Sequence, residues 1–146
     1  MQIELKIDSS CTEPIVIIMT DSMTEEIKNI MDKLSENVPQ IISGIKDNKL
    51  EVLEQSDIIR IYANSGKNFA VTDNGEYILR LRLYEIENKL NSHQFVRISN
   101  SEIINLKKVN NFDLSITGTI CVKLLNGQTT YVSRRYVSKI KKILGI

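Results

Sequence analysis

Apolar residues recur along this chain with two different periods, and the changes of period divide it. Ile3, Leu5 and Ile7 alternate with polar residues over Gln2–Asp8, which predicts a half-buried strand. Ser9–Glu13 interrupts it, and after Pro14 the β-branched run Ile15–Thr20 predicts a second, more deeply buried strand. At Ser22 the period lengthens. Ser22 and Glu25 stand at capping-box spacing, and Ile27, Ile30, Met31 and Leu34 share one helical face, so a helix is predicted from Met23 to Glu36, ended by Pro39. Gln40–Lys46 and Lys49–Leu53 read as strands about an Asp47-Asn48 turn. Residues 1–49 thus form a β-β-α-β region to which an accessory or dimerising role is assigned, and residues 50–146 form the remaining domain.

In that second part Asp57–Asn64, Lys67–Thr72 and Glu76–Leu79 are short strand patterns separated by Asn64-Ser65-Gly66 and Asp73-Asn74-Gly75, an antiparallel meander. Arg80–Leu90 carries Leu83, Ile86 and Leu90 at helical spacing. Phe95–Val109 opens strand-like with Phe95, Val96 and Ile98, crosses the polar Ser99-Asn100-Ser101, returns to Ile103 and Ile104, and ends on Lys107 and Lys108. Val109–Ile116, Thr119–Leu125 and Gln128–Val132 read as strands, and Asn126-Gly127 predicts a type I′ turn between the last two. Ser133 is the predicted N-cap of a final helix with Tyr136, Val137, Ile140, Ile143 and Leu144 along its apolar stripe. The fold class is mainly β (α+β), built from short antiparallel sheets with three modest helices. It lacks the βαβα alternation of nucleotide-binding α/β folds.

Charge changes the picture more than composition does. The net charge of +1 conceals a split: residues 1–79 hold 7 Lys+Arg and 14 Asp+Glu (−7), whereas residues 80–146 hold 12 and 4 (+8). A basic half of this kind suits a polyanion. Cys11 and Cys121 show neither metal-ligand spacing nor a disulfide framework, and the N-terminus lacks a basic, long apolar leader, which together point to the cytoplasm. The single histidine, His93, lies in a turn, and Cys121 lies in a β-rich run as a packed thiol. No carboxylate pair is marked as an acid/base couple. The sequence therefore argues for no enzyme, no metal and no cofactor.

Three places bear on a polyanion, two of them in the basic half. Asn100 lies in a polar loop between apolar patches, and an asparagine amide reads adenine bidentately in the major groove; its alternative role is an Asx-turn. Arg134 and Arg135 fall in the first turn of the final helix, where cations oppose the helix dipole at about 0.3–1 kcal/mol each. A bound phosphate reverses that sign, and arginine is the commonest reader of guanine; a surface salt bridge is the alternative. Lys67 and Asn68 stand at the mouth of the Asn64-Ser65-Gly66 turn. A competing reading makes the basic face a protein-interaction surface with no specific DNA binding. Single-stranded RNA binding is disfavoured by the absence of Trp and by only eight aromatic residues, 5 Tyr and 3 Phe.

The pattern Phe95-x-Arg97-x-x-Asn100-Ser101-x-x-Ile104-Asn105, followed by Asn126-Gly127 and Tyr131-x-Ser133-x-Arg135, resembles the LytTR DNA-binding domain, the output domain of many bacterial response regulators. The resemblance runs from about Leu50 to the C-terminus. It implies short antiparallel sheets that read double-stranded DNA at repeated sites, with loops rather than a recognition helix entering successive major grooves. It implies that Asn100, Arg135 and either Lys67 or Asn68 contact bases. Arg97, Ser99, Ser101, Lys107, Lys108 and Arg134 are placed near the phosphate backbone by charge and neighbourhood. Family members often carry histidine where this chain has Ser99. With only about 50 residues ahead of the domain and no receiver pattern, the chain is similar to stand-alone LytTR regulators. That implies a transcriptional regulator acting as a homodimer at least on DNA, with a small membrane protein as a regulating partner.

Overall fold

The computed structural model describes residues 1–35 and 41–146, which divide into two compact units, Met1–Pro39 and Gln40–Ile146. In the first, α1 (Glu25–Ser35) is helical. Its start is capped two residues later than the Ser22 box predicts: the Ile27 N–H donates to Thr24 Oγ1 at 3.3 Å and the Lys28 N–H to the Thr24 carbonyl at 3.0 Å. The predicted helix end at Glu36 and its stop at Pro39 lie outside the described residues. Neither Gln2–Asp8 nor Ile15–Thr20 is a strand. Alternation marks a face that one side of a strand could bury, but a strand also needs a ladder partner. Here Ile3 is 94% and Ile17 79% exposed.

Among its described residues the second unit contains ten strands and two α-helices. A meander supplies most of them: β1 (Ile42–Lys46), β2 (Lys49–Leu53), β3 (Arg60–Asn64), β4 (Lys67–Thr72) and β5 (Gly75–Leu79). After α2 (Leu83–Lys89) come β6 (Phe95–Ser99) and β7 (Glu102–Asn105), then β8 (Val109–Asp113), β9 (Ile120–Leu124), β10 (Thr129–Val132) and α3 (Arg134–Leu144). The strands form an antiparallel seven-stranded sheet, ordered β2-β1-β5-β4-β3-β7-β6, and a three-stranded sheet, β10-β9-β8. The first strand of the expected meander begins at Arg60 rather than Asp57, because Gln55–Asp57 closes into a 3-10 turn.

Two apolar clusters hold the unit. Leu83, Ile86 and Leu90 of the α2 region pack with Ile42, Ile61, Ala70, Leu79 and Ile103 on one face of the large sheet. Ile98 and Ile104 pack with Ile120, Val122, Val132 and Ile140, which joins the hairpin β6–β7 to the small sheet and α3. Ile140 is fully buried while Ile143 is 44% exposed, so the α3 stripe is narrower than its sequence suggests. Burying one such isoleucine stabilises by about 1.5–3 kcal/mol.

Turn chemistry is redistributed relative to the sequence signals. Asp47 and Asn48 take φ of 51° and 61°, and Ser65 and Gly66 take 51° and 76°, so the positive-φ pairs of a type I′ turn stand there. Asn126-Gly127 does not form one. Only Gly127 has positive φ, at 87°, because the Asn126 side chain accepts the Gln128 N–H at 3.0 Å and makes an Asx-turn instead.

Candidate nucleic-acid interface

The β6–β7 hairpin turns at Asn100-Ser101, with Ser99 opposite Glu102 and a register shift between Arg97 and Ser99. Such a bulge re-aims the side chains beyond it. The Ser101 N–H donates to Ser99 Oγ at 3.2 Å, so Ser99, not Asn100, makes the side-chain turn. The Asx-turn reading of Asn100 is thereby corrected. Its Oδ1 instead accepts from the Tyr136 hydroxyl at 3.1 Å, and the residue is exposed. The Arg97 guanidinium turns back onto its own hairpin. Its Nε donates to the Ser99 carbonyl at 2.7 Å and its Nη2 to the Asn100 carbonyl at 2.6 Å. Nη1 pairs with Glu87 Oε2 on α2 at 2.7 Å.

Two further segments are tied to this hairpin. The Ala63 N–H donates to the Ser101 carbonyl at 2.8 Å, which sets the Ser65-Gly66 turn beside it. Lys67 is exposed there, whereas Asn68 is half-buried and donates Nδ2 to the Leu81 carbonyl at 2.7 Å. The Ser133 N–H donates to the Ile98 carbonyl at 2.9 Å and so fastens the start of α3 to β6. Arg134 and Arg135 are exposed in that first turn, which holds no acidic residue. Lys67, Ser99, Asn100, Ser101, Arg134 and Arg135 are thus drawn to one end of the hairpin. Lys107 and Lys108 are not. They follow Asn105 at the other end of β7, roughly 13 Å away at about 3.3 Å per residue.

Beneath the turn lies a polar junction between the sheets that the sequence reading missed. Glu102 is 8% exposed; its Oε2 accepts from the Thr130 hydroxyl and its Oε1 stands 3.0 Å from Arg60 Nη1 without a hydrogen bond's alignment. Burial holds the Glu102 carboxyl above the usual range, against the opposing pull of Thr130 and Arg60. The signal was its position two residues before Ile104 on the same strand face. Asn105 is also structural: fully buried, it donates Nδ2 to the Ile58 carbonyl at 2.8 Å and accepts the Lys107 N–H at 3.0 Å. Tyr136 lies on the apolar stripe of α3, yet its hydroxyl serves the turn. Its signal was that a phenol hydroxyl packed among aliphatics needs a partner.

The opposite end of β4 differs in charge. A cavity of about 340 Å³ there is lined by Glu51, Glu54, Asp57 and Asp73, an acidic rim unsuited to a polyanion. Among the described residues no three of His, Cys, Asp and Glu gather as metal ligands. No helix among them is long and apolar enough to cross a membrane.

The chain is similar to known proteins. The sequence profile of the LytTr DNA-binding domain matches residues 48–145. A protein of Staphylococcus aureus (strain NCTC 8325 / PS 47) named as an HTH-type transcriptional regulator is 32% identical over 147 residues, covering 100% of this chain and 99% of the relative. Its counterpart in strain MRSA252 is 31% identical with the same coverage. The solved LytTr DNA-binding domain of a response regulator from Bacillus cereus superposes with a TM-score of 0.70 at 21% identity, covering 73% of this chain and 97% of that one. The helix-turn-helix label belongs to the relatives. In this chain α2 and α3 are separated by five strands, β6 to β10.

Proposed function

The chain belongs to the LytTR DNA-binding domain family, and from that premise we propose that it is a sequence-specific, double-stranded DNA-binding transcriptional regulator that reads the major groove with the Ser99–Ser101 turn and the first turn of α3. The observation that carries this reading is the hydrogen bond from Tyr136 to Asn100 Oδ1 at 3.1 Å. It joins the turn to the helix start and fixes which end of the amide points outward. An amide held this way offers Nδ2 to a base acceptor, one half of the adenine contact, without first losing side-chain freedom.

In this reading Asn100 and Arg135 contact bases, and Arg134, Ser99 and Ser101 meet phosphates. Lys67 serves as the third loop's contact, while Asn68, bonded to Leu81, braces the strand below it. Arg97 acts from inside by holding the turn. Lys107 and Lys108 reach phosphates beyond the turn's own groove, at the far end of the hairpin. The protein acts in the cytoplasm as a homodimer on repeated half-sites, with transcription from those sites as its output. Regulation by a small membrane protein is part of the same reading and rests on the family resemblance alone.

Selection of duplexes from a random pool followed by footprinting tests the function. An enriched motif is expected, with half-sites separated by about 10.5 bp or a multiple. Asn100→Ala and Arg135→Ala are each expected to cost about 1–3 kcal/mol of binding and to relax preference at one base pair. A pool that yields no motif returns the basic face to a protein-binding role.

A further inference from the structure

Among the described residues the large sheet ends in a strand with no ladder partner on its outer side. Among the described residues β2 pairs only with β1, in the register Lys46↔Lys49, Ile45↔Leu50, Gly44↔Glu51, Ser43↔Val52. The Asp47-Asn48 turn fixes that register, so Lys46 and Lys49 exchange the first pair of ladder bonds. Antiparallel alternation then leaves Leu50 and Val52 directing their N–H and C=O groups away from β1. Their side chains share a sheet face and are 70% and 69% exposed.

That face continues inward as one cross-strand row. Leu50 lies opposite Ile45, Ile45 opposite Ile78, Ile78 opposite Phe69, and Phe69 opposite Tyr62, with the last two rings stacked at 5.2 Å. The inner four are half-buried, and the row opens to solvent at Leu50. Native edge strands are ordinarily guarded by proline, bulges or unmatched charge. This one carries Lys49 and Glu51 on either side of Leu50, and those charges complement each other when the strand meets itself.

We propose that two copies of the chain pair β2 with β2 in antiparallel fashion about a two-fold axis at Leu50. Leu50 then lies opposite Leu50 of the second copy and exchanges both backbone bonds with it. Lys49 lies opposite Glu51 of the second copy, twice by symmetry, and the two apolar rows become one row crossing the axis. Centring the axis one residue along, at Glu51, would set two carboxylates face to face, so charge selects the Leu50 register. A two-fold interface places the same patch on both partners, which a self-complementary strand satisfies. The inference rests on the homodimer reading above and locates its surface; it is independent of which bases the turns read.

Sedimentation equilibrium of the full chain, from about 1 to 100 µM, tests it. A dimer is expected for the natural sequence. Lys49→Glu and Glu51→Lys are each expected to raise the dissociation constant at least about tenfold, because each sets like charges opposite one another in both pairs. The double variant K49E/E51K restores the pairing and regains the dimer. Circular dichroism melts of all three check that the exposed substitutions leave the fold intact. A natural chain that stays monomeric throughout overturns the β2 pairing and leaves the homodimer on DNA to be held by another contact. A dimer indifferent to both single changes overturns the β2 surface, and a double variant that fails to recover overturns the Leu50 register.

Discussion

Two turns stand side by side at one end of the same sheet, and they are built differently. The Ser65-Gly66 turn rests mainly on backbone conformation: both residues have positive φ, a methyl group added at Gly66 would meet nothing within 4 Å, and its one side-chain bond is internal and long, from Ser65 Oγ to Asn64 Oδ1 at 3.3 Å. The Ser99–Ser101 turn is held from four sides, by Ser99 Oγ, by two Arg97 nitrogens and by the Tyr136 hydroxyl. Glu87 on α2 in turn anchors Arg97. A bare turn can present a charge to a backbone, where position is forgiving. A turn that reads a base edge needs its amide fixed before the encounter, since ordering a side chain on binding costs about 0.5–1.5 kcal/mol. Under the proposed function, that difference suits the two turns to different work on DNA.

Removing Arg97 should do the most damage to that contrast. Arg97→Ala deletes two charge-assisted bonds to the turn carbonyls and the pair with Glu87, and charged hydrogen bonds contribute about 1.5–3 kcal/mol each. The variant should lose about 2 kcal/mol of duplex affinity, roughly thirtyfold, without any direct base contact being removed. Its amide exchange should rise at Asn100 and Ser101 and stay unchanged at Ser65 and Gly66. Equal protection of both turns in the natural protein would remove the distinction.

Tyr136→Phe is the finer probe of the same turn. It keeps the ring in its apolar cluster and takes away one hydrogen bond, so stability should fall by less than about 1 kcal/mol. Duplex affinity should fall by about 1 kcal/mol, and the loss should vanish when Asn100 is already alanine, because the hydroxyl acts through that amide. Additive losses in the double variant would mean that Tyr136 meets DNA on its own account.

How much of this was legible in the chain follows from what each pattern encodes. The strands of the second unit, Gly127's turn region and the α3 stripe were readable, because a two-residue or 3.6-residue period reports the face a residue buries. Periodicity reports nothing about partners. Ile3, Leu5 and Ile7 alternate as well as any strand here, yet they have no ladder and remain exposed. Likewise Asn100 and Arg135 stood out as residue types in a basic half. Arg97 looked equally free, and only the bulge before Ser99 folds its guanidinium inward. For contacts over long sequence separation, such as Glu102 with Thr130 or Tyr136 with Asn100, the local pattern marks a polar group that needs a partner but not which partner it finds.

Glu102 supports the held turn from below, opposite Ser99, and its ionisation gives that support a pH dependence. Its folded pKa lies above the ordinary glutamate value, so the native state binds this proton more tightly than the unfolded chain does. The stabilisation from this group is therefore complete below the ordinary value and declines as pH rises through the raised folded one. Glu102→Gln should abolish that decline. In urea melts, the stability of the natural protein minus that of the variant should shrink with rising pH across this window and level off above it. A difference that grows with pH would mean the Arg60 charge, not burial, governs the site.

Lys67→Ala should have the smallest effect, and its character matters more than its size. The side chain is exposed on the bare turn, 67 opposite Asn64, and no internal hydrogen bond of that residue's side chain fixes its reach. As a phosphate contact it should cost well under about 1 kcal/mol at moderate salt and lower the slope of log affinity against log salt by about 0.9. The selected motif should be unchanged, because a flexible ammonium on an unheld turn contributes charge and little geometry. A lost base preference in this variant would show that DNA itself orders the Ser65-Gly66 turn on binding. The two turns would then differ in when they are ordered rather than in what they read.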